Sequence, residues 1–406
     1  MISIEEALKI VEENIPARRV VTARLEDAFN RCLAEDVTAP EASPRYTSSA
    51  MDGYALRWAD CAGASPETPV FLKIIGESQA GIPFAGQVAA GGAVRISTGA
   101  MLPAGADTVL RVEDSREEEG RLAVLQNPVL GQDVRPAGEE FQPGDTLLKK
   151  GVVLKARELA VLAAVGICEV AVLAPPRVAI LVTGTELARH DDGAIRPHQI
   201  RDSNSLMLAS AVREWAGEAV AARRVEDSLA ATTAAIASAE GAEIILCSGG
   251  VSVGRHDHVK DAALAVGFKQ LFWKVRQKPG KPLFVCRRDN TLLFGLPGNP
   301  VSAYMCFHKY VAPVLAHLAG RGRDERPVSA NGLVMAAAAS PLVNDDSRTH
   351  LTRVQLEWRD GEPPLASKLR QQGSHMLTSL VMADGFVVLE PGQAVTAGEL
   401  IEVSLF

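Results

Sequence analysis

The stretch Cys247-Ser-Gly-Gly-Val-Ser-Val-Gly-Arg-His-Asp-His258 places two glycines directly after a short apolar run, Glu243 to Leu246, and an aspartate between two histidines a few residues later. Glycines let backbone N–H groups close around an anion, and a carboxylate at the same strand end supplies a metal ligand. Two other apolar runs finish comparably: "VAILVTGTEL" on Thr183, Gly184, Thr185 and Glu186, and "TLLFGLPGNPVSA" on Pro297, Gly298, Asn299 and Ser302. Each loop is expected to lead into a helix, with its N–H groups facing a phosphate. Plainer uses exist, since a glycine loop often serves only as a tight connection and Glu186 would satisfy a helix N-terminus. Three such loops on one sheet edge favour a ligand, because open α/β sheets bind outside the carboxyl ends of their strands.

The histidines flanking Asp257 lack the i, i+4 spacing of a helical zinc pair, and no cysteine stands nearby. Carboxylates from separate loops, Glu186, Asp227 and Asp257, instead point to magnesium shared with substrate phosphates. "VEDS" also makes an ordinary helix cap at Asp227 or Ser228. The run from 269 to 288 carries Lys269, Lys274, Arg276, Lys278, Lys281, Arg287 and Arg288 and no acidic residue. Lysines protecting an edge strand would explain part of it. Lys278-Pro-Gly-Lys281 differs in kind, because a stiff turn presenting two lysines suits a compact, multiply charged anion. Earlier in the chain, Asp52-Gly53 fits a hairpin turn and Thr98-Gly99 a strand terminus.

The elements that position these residues follow from pattern. Residues 1–45 read as two helices, the first on Ile4, Leu8 and Val11, the second on Leu25, Ala28, Phe29 and Leu33; "KARELAVLAAVG" is a third helical run. These give a helical N-terminal module over 1–45 with 146–174. Short apolar runs broken by Gly and Pro make 46–145 an inserted strand-rich module. From 175 to 325, strands and helical stretches alternate, which predicts a doubly wound, mostly parallel sheet with helices on both faces. Residues 326–406, ending "GFVVLEP" and "ELIEVSLF", read as a small C-terminal β domain.

Composition narrows the function classes. A length of 406 residues predicts two to four domains, and 47% apolar with 22% charged residues is the balance of a soluble globular protein. Aromatic residues at 5% weaken any base-stacking role, and a net charge of −7 argues against nucleic-acid or anionic-membrane surfaces. No apolar run reaches 18 residues, and the start reads as an amphipathic helix rather than a signal peptide. Six cysteines without a C-x-x-C pair exclude a zinc ribbon and fit a reducing cytoplasm.

Eight stretches in order give the chain a further meaning: Ser49-Ala-Met-Asp-Gly-Tyr54, Thr98-Gly-Ala with Pro103 to Asp107, Arg135 to Glu139, Thr183-Gly-Thr-Glu186, Ser248-Gly-Gly-Val-Ser-Val-Gly254 with Asp257, Lys278-Pro-Gly-Lys-Pro282, Gly295-Leu-Pro-Gly-Asn-Pro-Val-Ser302 and Gly373-Ser-His375. Through them the chain resembles the MoeA and gephyrin E-domain family over nearly its whole length. The resemblance implies a Mg²⁺-dependent molybdopterin molybdenumtransferase that takes adenylylated molybdopterin and molybdate and releases AMP. Thr183, Gly184, Ser248, Gly249, Gly250, Pro297, Gly298, Asn299 and Ser302 would bind the pterin substrate. Lys278, Lys281, Ser252, Arg348 and Ser374 would hold molybdate, with Lys274 among the catalytic residues and Glu186, Asp227 and Asp257 on the metal. The family also implies a homodimer in which Asp52 and Thr98 complete the site of the other subunit. Molybdopterin adenylyltransferase and molybdoenzyme acceptors or chaperones are the implied partners. Two departures stand out: Glu140 where many relatives have aspartate, and "DDSRTHLTRV", which matches the usual Gly-Arg-x-x-Phe pattern only partly. Adenylyl transfer and a gephyrin-like scaffold are the rival readings.

Overall fold

The computed structural model describes residues 1–251, 258–321 and 332–406. It divides into two compact units, one of Met1–Ala23, Asn30–Ala34 and Ala171–Phe406, the other of Arg24–Phe29 and Glu35–Val170.

The second unit is built on a six-stranded sheet in the order Thr108–Arg111, Gly53–Leu56, Gly92–Ile96, Val70–Ser78, Arg121–Val124, Ser115–Glu118. One pairing, Val70–Ser78 with Gly92–Ile96, is parallel and the others are antiparallel. Tyr54, Leu56, Leu72, Leu110, Leu122 and Val124 form its core. The expected helical run is present as Ala156–Ala164.

The first expected N-terminal helix, Ile4–Glu12, starts from a Ser3/Glu6 capping box and buries Ile4, Ala7 and Val11. The second does not form. Val20–Arg24 is a strand, Leu25–Asp27 a single 3-10 turn, and Leu33 bridges to Val172. The β-branched run Val20-Val-Thr22 favours extended backbone, and Asn30 at φ 65 breaks any helix through Phe29 and Leu33. The stretches expected to form a helical module therefore hold one helix each, beside short strands.

In the first unit a six-stranded sheet runs Glu218–Val225, Arg177–Thr183, Ile244–Ser248, Thr291–Leu296, Phe284–Arg288, Lys269–Trp273. The first three pairings are parallel and the last two antiparallel, so only Phe284–Arg288 runs against the rest, and the sheet is mostly parallel with a mixed edge. The cause is local: only Asp289 and Asn290 separate two strands, which admits a hairpin and no crossover helix. Alternate residues of the parallel strands feed two cores. Ile180, Leu246 and Phe294 pack with Leu208, Val301 and Phe307 on one face, and Leu181, Ile245 and Leu293 with Ile236 and Ala262 on the other. Burial on both faces explains why these strands read as continuous apolar runs.

The C-terminal β region closes on itself as Thr349–Arg359, Glu362–Lys368, Leu333–Ala338, Leu400–Leu405 and Gly385–Leu389, the last pairing back to the first. Closure leaves no free edge within that ring. Val354, Leu356, Ala366, Val387 and Val403 fill it. The short strand Gln277–Lys278 joins from outside, parallel to Thr349 and His350. Part of the basic run is thus the edge strand Lys269–Trp273, while its lysine turn is hydrogen-bonded to the barrel.

Candidate functional site

Three parallel strands end level, with Val182 beside Ser248 and Ser248 beside Leu296. Past Ser248 the backbone turns through Gly249 at φ 90 and Gly250 at φ 68. A Cβ on Gly249 would lie 2.6 Å from the Thr183 carbonyl oxygen, so the turn requires glycine for both conformation and space. The Thr183 hydroxyl is buried against both glycines and has no partner among the described residues. Gly249 N donates to the Leu296 carbonyl at 3.1 Å. Asn204, the first residue of the helix Asn204–Glu214, ties two loops together. Its Nδ2 donates to Ser248 Oγ at 2.9 Å and to the Gly298 carbonyl at 2.8 Å, and Ser248 Oγ donates to the Pro297 carbonyl at 3.3 Å. Sequence reading missed Asn204; the signal was a polar residue one turn before Leu208 on the buried helix face. Ser302 is buried in the helix Pro300–Cys306, whose first residue is proline as an N-terminus prefers.

The loop after Thr183 does not lead into a helix as expected. It enters Leu187–Ala188, a short strand paired with Ile200–Arg201. Glu186 therefore serves no helix N-terminus: it is exposed, and its carboxylate lies over Gly184, where a Cβ would meet the two oxygens at 2.8 and 2.9 Å. Asp227 follows the neighbouring strand, whose Val225 pairs with Thr183. The cap of Leu229–Ala237 is Ser228, which accepts from Ala231 N at 3.2 Å, so Asp227 is spared that role. Asp257 and Ser252 lie outside the described residues. Among the described residues no three His, Cys, Asp or Glu side chains converge as a metal cluster.

The cationic side is built around buried polar anchors. Gln277 is fully buried: Tyr310 Oη donates to its Oε1, and its Nε2 donates to the Gly280 carbonyl and Cys306 Sγ, each at 3.4 Å. Tyr310 stands on a π-helical turn, Phe307–Val311, of the helix that follows the 297–299 loop. Gly280, at φ 94, has no room for a Cβ, which would sit 2.4 Å from Cys306 Sγ. Lys278 and Lys281 are thereby carried on a turn clamped to the core, both side chains exposed. Lys274, at φ 70, holds its ammonium 3.8 Å from the centre of the Trp273 ring.

Residues of the barrel meet this turn. Asp346 receives Arg348 through two bonds, at 3.1 and 2.7 Å, while Lys278 Nζ approaches the same carboxylate at 3.6 Å and His350 Nε2 at 3.4 Å. Arg348, expected among the molybdate ligands, is engaged by Asp346. Asn299 Nδ2 donates to Ser374 Oγ at 3.1 Å, which brings the expected serine to the proline-glycine loop. Arg353, fully buried on the barrel strand, donates to the carbonyls of Gln371 and Gly373 just before Ser374. Its Nε and Nη1 have no partner among the described residues, and burial lowers its pKa. Neither Asp346 nor Arg353 was singled out from sequence.

In the other unit, Asp52 Oδ1 accepts from Thr98 N at 2.7 Å and Thr98 Oγ1 at 3.1 Å. The two expected residues form one polar pair, and Gly53 begins the strand Gly53–Leu56 rather than a hairpin turn. Glu140 accepts from Ser43 Oγ at 2.8 Å.

Three family descriptions match successive parts of the chain: "MoeA N-terminal region (domain I and II)" over residues 2–166, "Probable molybdopterin binding domain" over 179–317 and "MoeA C-terminal region (domain IV)" over 328–406. A molybdopterin molybdenumtransferase of Haemophilus influenzae is 32% identical over 410 residues, covering 100% of this chain and 99% of that protein. Molybdopterin molybdenumtransferase 2 of Mycobacterium tuberculosis is 34% identical over 415 residues, 99% of each. Among solved structures, a molybdopterin biosynthesis MoeA protein from Pyrococcus horikoshii superposes with a TM-score of 0.85 at 31% identity, covering 100% of this chain and 99% of that one.

Proposed function

The chain belongs to the MoeA family, and from that premise we propose that it is a molybdopterin molybdenumtransferase, which takes adenylylated molybdopterin and molybdate and releases AMP as molybdenum passes to the dithiolene. The observation that carries the residue-level reading is the double junction at the strand ends: Lys278 is paired into the barrel beside the Arg348–Asp346 cluster, and Ser374 bonds Asn299. Both connections bring groups suited to an oxyanion to loops suited to a phosphate.

The N–H groups of Gly250, Gly298 and Asn299 would cradle the pterin phosphate, the two loops tied together by Asn204. Lys278, Lys281 and Ser374 would hold molybdate, with Arg348 available once the dianion competes for it against Asp346. Lys274 would neutralise charge at the phosphoanhydride. Glu186 and Asp227, oxygen ligands from neighbouring strand ends, fit a cation that keeps most of its waters and takes one or two carboxylates, with Asp257 as the third candidate. Bound there, Mg²⁺ would offset the negative charge of the anhydride. Orienting two substrates against each other is the remaining contribution of the chain.

The same reading includes a cytoplasmic homodimer in which Asp52 and Thr98 complete the partner's site, and transfer to molybdoenzyme acceptors or chaperones. It keeps the four-part division of the chain set out from sequence. Among the described residues no helix is long and apolar enough to cross a membrane. The test is AMP release from adenylylated molybdopterin with Mg²⁺, with and without molybdate, by wild type and Lys278→Ala. Release that needs molybdate and falls at least tenfold in the variant supports the assignment; folded wild-type protein that releases no AMP overturns it.

A further inference from the structure

Trp273 ends the edge strand Lys269–Trp273 at the ligand-binding end of the sheet, paired with Phe284, which in turn pairs with Gly295. Its indole N–H donates to the Val251 carbonyl at 3.2 Å, tying the ring to the chain just past the two glycines. Two ammonium groups lie against this one ring, Lys274 at 3.8 Å and Lys260 at 4.5 Å from its centre. Lys260 belongs to the helix Val259–Ala265, to which neither sequence reading nor the proposed function gives a substrate role. Neither ammonium is ion-paired among the described residues, and both lysines are half-buried. A ring face attracts each cation, yet the two cations repel one another. Among the described residues the arrangement is therefore a double positive charge with no counter-ion beside the glycine turn, and an anion with two or more charges relieves it.

We infer that Lys260 is a substrate-binding residue, which with Lys274 clamps the phosphoanhydride of the substrate, and that Trp273 is the positioning residue holding both lysines. This rests on the molybdenumtransferase reading, which supplies a phosphoanhydride. Of the side chains at this ring, Lys274 alone would place one charge on a linkage that carries at least two; Lys260 supplies a second, beside whatever Mg²⁺ offsets.

The experiment compares wild type, Lys260→Ala, Lys260→Arg and Trp273→Phe. Steady-state AMP release gives KM for adenylylated molybdopterin and, separately, for molybdate; inorganic pyrophosphate, titrated by equilibrium dialysis, gives affinity without turnover. Lys260→Ala raises KM for the adenylylated substrate and weakens pyrophosphate about tenfold, the size of one lost charge-assisted bond, with KM for molybdate unchanged. Lys260→Arg, which keeps the charge and the stacking, returns both within about threefold of wild type. Trp273→Phe keeps a ring but loses the tie to Val251, and falls between. An unchanged KM and an unchanged pyrophosphate affinity in Lys260→Ala overturn the clamp, as does loss in Lys260→Ala that arginine fails to restore. Wild type that binds pyrophosphate through Lys260 but releases no AMP would overturn the proposed activity and leave the clamp standing.

Discussion

Asn204 and Asp346 each gather several chain segments in the same unit, and they do so by opposite means. Around Asn204 everything is neutral, and Asn204 and Ser248 are buried: one carboxamide spans the 44 residues to Ser248 and the 94 to Gly298. Around Asp346 the side chains are ionisable and partly open, with a lysine, an arginine and a histidine on one carboxylate. A buried neutral network is insensitive to salt and is costly to disturb, because each lost donor strands an acceptor away from water. A half-exposed ion cluster contributes little to stability and exchanges partners readily. In the proposed function the first kind of cluster would set the shape of a phosphate cradle. The second would keep cations in place until a stronger anion arrives.

Replacing the donor at the neutral cluster has the largest expected effect. Asn204→Leu leaves the Gly298 carbonyl and the Ser248 hydroxyl without their donor, which lowers stability by roughly 2–4 kcal/mol in urea unfolding and cuts AMP release more than tenfold. A variant as stable and active as wild type would show that the loops hold their shape unaided. Next comes Gly280→Ala, where a left-handed backbone and the Cys306 contact together cost about 2 kcal/mol and displace the lysine turn. Its readout is KM for molybdate, expected to rise while KM for the pterin substrate stays put. Smaller, and of opposite sign, is Asp346→Asn: with the carboxylate neutral, Lys278 and Arg348 turn to the oxyanion and molybdate binds about threefold tighter, about 0.65 kcal/mol. Weaker binding in Asp346→Asn would mean the carboxylate orients the cations instead of competing for them.

The smallest effect is a pH dependence. The Arg348 guanidinium holds the Asp346 carboxyl well below the usual aspartate range, with His350 adding to it. A depressed folded value means that the pair's stability is complete above the unfolded aspartate value of about 4 and is lost as pH falls toward the folded one. The stability difference between wild type and Asp346→Asn should be flat from about pH 8 to 5 and shrink below about pH 4. A difference that grew on acidification would reverse the assignment.

What could be read from sequence tracks how local each cause is. The strand-end loops were legible because apolar runs and glycines announce a strand and a turn within ten residues. The second N-terminal helix was misread because the spacing of Leu25, Ala28, Phe29 and Leu33 fits a helix, while the β-branched run before it and the left-handed Asn30 within it decide otherwise. The mixed edge of the sheet was legible in principle, since two residues between Arg288 and Thr291 allow only a hairpin. Asn204, Trp273, Asp346 and Arg353 were not, because each acts on partners that are brought near by the fold alone. Arg348 shows the same limit: its type and position were read, but Asp346's claim on it was not.

Cys306 lies beneath the lysine turn, its sulfur against Gln277 and facing the space that Gly280 leaves open. Burial pushes its thiol up to about 12, so at neutral pH it stays protonated and inert to alkylation. An alkylating reagent reaches that sulfur only when the turn lifts from the helix below it. Peptide mapping of label at Cys306, timed against the exposed Cys168, would therefore act as a clock for the turn, and a bound oxyanion that slows it would be seen without any turnover.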